Sequence, residues 1–227
     1  TLISLLGMLV LLSIGFVLSK HRSNINWRTI VVAFLLQFAI GAFALYFPIG
    51  RSVLESVSGG VSGILSYAQA GIDFLFGSLG RSSSDGIGFV FALQVLPIII
   101  FFSSLVSVLY YIGIMGRVIR IVGGALQWLL GTSRAESMSA TANIFVSQTE
   151  APMVVKPFVG KMSNSELFAV MVGGMATVAG SVLAGYVALG VEMKYLLAAS
   201  FMAAPGGFLM AKLLMPETQE IDNHEEA

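Results

Sequence analysis

From Asn143 to Pro152 the chain reads Asn-Ile-Phe-Val-Ser-Gln-Thr-Glu-Ala-Pro, a polar island in an otherwise apolar sequence. Glu150 supplies a carboxylate, Ser147 and Thr149 supply hydroxyls, and Asn143 and Gln148 supply amides that both donate and accept. These groups suit recognition of a polar solute, or ligation of a small cation or a proton. They suit catalysis poorly. A hydrolase using Ser147 or Glu150 would need a buried base. Both histidines, His21 and His224, lie in polar segments, and no HExxH pair is present. The chain is read as no enzyme.

The background is built for lipid. The 227 residues are 56% hydrophobic and only 11% charged, and the mean hydropathy is +0.90. A soluble domain carries about 25% charged residues. Net charge is zero and no basic tract or zinc spacing occurs, so nucleic acid is excluded as a partner. With no cysteine, disulfides and thiolate metal sites are excluded too.

The fold class is therefore an all-α integral membrane protein. Leu2–Leu18 and Ile30–Tyr46 read as spans of about the ~20 residues a bilayer requires. The first is expected to stay as a helix rather than be removed as a signal. Arg51–Gly80 shows helical apolar spacing among serines and glycines, an amphipathic surface helix, and Arg81–Gly86 a polar loop. Phe89–Ile114 is a third span, bent at Pro97, and Arg117–Gly131 an interfacial helix. Leu167–Leu189 and Tyr195–Leu214 are further spans, the second interrupted at Pro205-Gly206-Gly207. Ser133 with Glu136, and Ser163 with Glu166, have the spacing of helix N-caps. Of the 12 lysines and arginines, only Arg51, Arg81 and Lys194 fall on the outer side when the N-terminus is placed outside. That bias fixes the expected orientation.

Two apolar pieces flank the island, Ala135–Val146 and Ala151–Val159. At ~1.5 Å per residue each reaches about halfway through a ~30 Å hydrocarbon core. Arg134 lies at one outer end, Lys156 and Lys161 near the other, so both ends belong on one side. The expected element is a re-entrant hairpin over 134–160 with the island at its tip. A half-helix ending inside a membrane leaves bare carbonyls, and one starting there leaves bare N–H groups. Broken helices of this kind place a cation site beside a polar-substrate site. Glu150 reads as the one carboxylate deep in the membrane, a substrate or proton ligand. Gly173, Gly174, Gly180 and Gly185 form a small-residue ridge for close helix approach. Thr177, a turn before Gly180, adds a hydroxyl.

The segments Gly131–Ser139, Asn143–Val146, Gln148–Pro152, Glu166–Phe168, Leu183–Tyr186 and Ala203–Gly207 resemble concentrative nucleoside transporters over essentially the whole chain. The resemblance implies a bacterial, sodium-coupled symporter of nucleosides in the inner membrane, a homotrimer, with proton coupling or a channel-like protein as the alternative. It implies that Gln148, Thr149 and Glu150 contact the base and that Val182 packs against it. Ser147 holds a position where Gly or Ser occurs, and Ser implies a lean toward pyrimidine nucleosides such as uridine. Asn143, Val146, Thr177 and Val178 match the sodium positions. Residues 1–115 would form a static scaffold and 116–214 the moving transport part, followed by an acidic cytoplasmic segment, 215–227. Family members continue for another such length, so this chain corresponds to one half of an inverted repeat and lacks the ribose-binding half.

Overall fold

The computed structural model describes residues 2–80, 90–146, 148–178 and 180–219. The expectations for Ser147, the polar loop 81–86, Phe89 and the end of the acidic segment lie outside them. Among the described residues the α-helices are, in order, α1 (Leu2–Val17), α2 (Trp27–Tyr46), α3 (Pro48–Phe76), α4 (Phe91–Gln94), α5 (Leu96–Tyr111), α6 (Ile114–Leu130), α7 (Arg134–Phe145), α8 (Ala151–Val154), α9 (Asn164–Ala176), α10 (Gly180–Ala188) and α11 (Met193–Leu214). No strand occurs among the described residues.

Three segments there are long and apolar enough to cross a bilayer: Trp27–Tyr46, Phe91–Tyr111 and Met193–Leu214. The α1 helix has 16 residues, and its apolar side chains face outward, Leu6 and Leu9 among them. The α3 helix runs for 29 residues and begins on Pro48, whose missing N–H costs nothing at a first turn. Its elbow with α2 demands a glycine, because a Cβ on Gly50 would overlap the Phe43 carbonyl. Pro97 divides the third span as expected, leaving the single turn of α4 ahead of α5.

The structure corrects three expectations. Leu167–Leu189 is not one rod: α9 stops at Ala176, Thr177 and Val178 leave the helix, and α10 begins at Gly180. The second flank of the island is not a nine-residue helix. It is the single turn of α8 followed by a 3-10 segment, Lys156–Lys161, because Pro157 can neither donate to nor fit against the preceding turn. Finally, Pro205-Gly206-Gly207 does not interrupt α11, which continues through all three residues.

The α11 helix lies centrally, packed along α2 on one side and α9 on the other. Ala204, Phe208, Leu209 and Ala211 enter the largest apolar cluster there, with Ala33, Ala140 and Ala169. The ends carrying the expected cytoplasmic charges gather together. Lys20 N donates to Leu214 O at 2.9 Å, and Thr29 Oγ1 donates to Leu130 O at 3.0 Å in a buried contact. Two residues read as outside, Arg51 and Lys194, line one cavity of about 420 Å³ with Tyr46 and Glu55.

Candidate functional site

The helix carrying the island starts as its sequence demands. Ser133 accepts from Glu136 N at 3.3 Å, and Glu136 Oε1 accepts from Ser133 N at 2.7 Å, a reciprocal cap. The α7 helix then runs to Phe145, and α8 returns beside it. Ala135 and Val155 share one apolar cluster, and Ala142 and Ala151 another, which is the pairing of an antiparallel hairpin. Gln148, Thr149 and Glu150 form a turn just before α8.

That turn packs onto the break between α9 and α10. A Cβ on Gly173 would lie 3.3 Å from Asn143 Nδ2, and one on Gly174 would lie 3.3 Å from Gln148 Cβ. A Cβ on Gly180 would overlap the Phe145 carbonyl oxygen. The glycine ridge therefore does what its spacing predicts: it admits the hairpin tip. Two helix C-termini, at Phe145 and Ala176, converge there with their carbonyl ends, the partially negative poles of helices.

Asn143 is fully buried at 0% exposure, and neither atom of its amide has a hydrogen-bond partner among the described residues. One turn earlier on α7, Ser139 Oγ is equally buried and likewise has no partner among the described residues. Leaving such groups unmet costs about 1–3 kcal/mol each, so the site is built to receive a ligand or water. Thr177 stands at the α9 terminus in extended conformation, and its hydroxyl donates back to Gly173 O at 3.0 Å. Val146 is buried, capping α7, and Val178 sits in the break. Asn143, Val146, Thr177 and Val178 thus belong to one junction. Gln148 and Thr149 are exposed on the turn and Glu150 is half-buried at the start of α8. Val182 lies in the first turn of α10, half-buried. A cavity of about 560 Å³ opens beside the turn, lined by Val106, Ser107 and Tyr110 of α5 and by Glu150, Met153 and Val154.

Glu150 is not the most buried carboxylate. Glu136 is 1% exposed and Glu166 is 5%. By its position Lys212 reads only as a charge on the cytoplasmic side, yet its Nζ is buried 2.8 Å from Glu136 Oε2. It also donates to Ser165 Oγ at 3.1 Å and lies 3.6 Å from Glu217. Ser163 Oγ donates to that same Glu217 carboxylate at 2.8 Å. The starts of α7 and α9 and the end of α11 are tied into one cluster. Its only sequence signal is the position of Lys212 in the last turn of a helix.

Gly180→Ala is expected to lower uptake by the full-length protein at least tenfold and reduce its thermal midpoint. Forcing a methyl into this backbone contact costs about 1–3 kcal/mol. Unaltered melting and uptake would show that the tip does not need this approach.

Helix ends that meet at a polar island, in an all-helical chain with bilayer-length spans, are an arrangement shared with the broken helices of secondary transporters. Comparison with known proteins agrees. A family model for the N-terminus of Na+ dependent nucleoside transporters matches residues 6–79, and a nucleoside recognition model matches residues 92–193. Nucleoside permease NupC of Helicobacter pylori is 55% identical over 227 residues, 99% of this chain and 54% of that protein. Sodium/nucleoside cotransporter 1 of Homo sapiens is 40% identical over 219 residues, 96% of this chain and 33% of that protein. The solved structure of CNTnw in an inward-facing substrate-bound state superposes with a TM-score of 0.93 at 59% identity, covering 97% of this chain and 54% of that one. An outward-facing CNTnw variant also gives 0.93, at 58% identity, covering 98% of this chain and 54% of that one. The chain belongs to the concentrative nucleoside transporter family. It spans about half the length of the bacterial relatives it matches.

Proposed function

We propose that the full-length protein carries nucleosides into the cell by sodium symport, and that this chain supplies its base-recognition and cation-binding half. One observation carries the reading: a fully buried, unpartnered Asn143 amide lies where two helix C-termini meet, directly behind the turn bearing Gln148, Thr149 and Glu150. Asn143 Oδ1, the carbonyls at Val146 and Val178, and the Thr177 hydroxyl are neutral oxygen donors, which suit a hard monovalent cation. Sodium is cargo in this scheme. Its arrival orders the turn, and the ordered turn binds the substrate more tightly. Linkage makes the reverse equally true.

Gln148 and Glu150 read the polar edge of the base, Thr149 supports them and Val182 packs against the ring. Ser147 tilts selection toward pyrimidine nucleosides such as uridine. Residues 1–115 serve as the static frame and 116–214 as the moving part, with the acidic segment 215–227 leading onward in the cytoplasm. The protein sits in a bacterial inner membrane with its N-terminus outside, as a homotrimer. Hydrogen bonds to ribose come from the remaining length of the protein. Uridine uptake into proteoliposomes is expected to require an inward sodium gradient. Uptake that follows a pH gradient and ignores sodium would replace sodium with the proton.

A further inference from the structure

Tyr110 is the next-to-last residue of α5, and its neighbour Tyr111 is 91% exposed on the opposite side. The Tyr110 side chain instead packs against the apolar cluster that joins Val106, Met115 and Ile119 to Ala142, Val146 and Ala151 of the hairpin. Its hydroxyl oxygen is buried and has no hydrogen-bond partner among the described residues. It lines the same cavity of about 560 Å³ as Glu150, a size suited to a small polar solute. Two serine hydroxyls on this helix are satisfied locally: Ser104 donates to Ile100 O at 2.9 Å and Ser107 to Ser103 O at 2.9 Å. A tyrosine cannot reach back to its own helix in that way, and the side chain that carries this phenol stands in the cavity wall with Glu150. Buried polar groups are partnered as a rule. Here the partner has to come from what enters.

We propose that Tyr110 is a substrate-binding residue supplied by the static frame, donating through its phenol to a carbonyl or hydroxyl oxygen of the nucleoside held by Glu150. The inference rests on the transport reading above. It also carries a direction. Tyr110 stands at the end of α5 that leads into Arg117 and Arg120, the cytoplasmic end by charge. The hairpin moves and α5 does not, so the hydrogen bond exists only when the tip is low in the membrane, on the release side. Tyr110 therefore sets the affinity of the inward-placed site and leaves the outward-placed one alone.

Tyr110→Phe removes the hydroxyl and keeps the ring in its apolar cluster, which separates the hydrogen bond from packing. In proteoliposomes of the full-length protein, KM for uridine is measured from each face at saturating sodium. The variant is expected to raise KM at the cytoplasmic face by about 3- to 10-fold, the worth of one hydrogen bond, with KM at the outer face essentially unchanged. Tyr111→Phe is expected to change neither. Equal KM values for Tyr110→Phe and wild type at both faces would overturn the assignment, as would an equal rise at both. Wild-type vesicles that move no nucleoside would overturn the transport reading and this inference together.

Discussion

Glu150→Gln in the full-length protein is expected to abolish sodium-driven nucleoside uptake while leaving the melting temperature close to wild type. The carboxylate stands at the start of α8, half-buried beside a cavity of about 560 Å³. Its replacement by an amide keeps the shape and loses the charge. A hydrogen bond to a charged group contributes about 1.5–3 kcal/mol, and the amide also presents a donor where the base presents one. Mismatched donors turn a favourable contact into a repulsive one, so the loss exceeds tenfold. Stability is spared because the hairpin tip packs closely against Gly174 and Gly180, contacts that the substitution leaves in place. Near-normal uptake by the variant would remove Glu150 from the substrate site.

Lys212→Met is expected to do the opposite, collapsing stability first. The Lys212 and Glu136 side chains are 7% and 0% exposed at 2.8 Å separation. Removing one partner of a buried pair costs about 3–5 kcal/mol, because the stranded charge keeps its desolvation penalty. Glu217, 3.6 Å from Lys212, would lose its ion partner too but keep the Ser163 hydroxyl. The double variant Glu136→Gln/Lys212→Met removes both main charges and is expected to regain much of the loss. A thermal melt of the detergent-solubilised protein reads both variants. Equal destabilisation by the single and double changes would mean that Lys212 acts through packing alone.

These two residues show what can be read from a sequence of this kind. Glu150 stands out because a carboxylate among apolar residues is conspicuous and its neighbours are polar. Lys212 and Glu136 are joined by tertiary folding alone, and each looks unremarkable where it stands. The helix starts were legible because Ser133 with Glu136 and Ser163 with Glu166 encode their caps locally. The break at Thr177–Val178 was not. Hydropathy is similar on both sides and no proline marks it, so the helix is opened by the Phe145 carbonyl lying on Gly180. Pro205 misleads in the other direction. Its helix is held straight through by neighbours on both faces, with Gly206 against Gln37 and Gly207 against Gly173. Tyr110 was missed because an aromatic near a span terminus reads as an interfacial anchor, and its packing and orphaned hydroxyl, which distinguish it from the exposed Tyr111, arise only on folding.

The joint character of the site is the claim on which the rest stands, and calorimetry on the purified full-length protein addresses it most directly. Uridine affinity, titrated at rising sodium with ionic strength held constant, is expected to tighten at least tenfold, about 1.4 kcal/mol of coupling. Asn143→Ala is expected to flatten that dependence. Uridine affinity independent of sodium in the wild type would contradict a shared junction between the hairpin tip and the α9–α10 break.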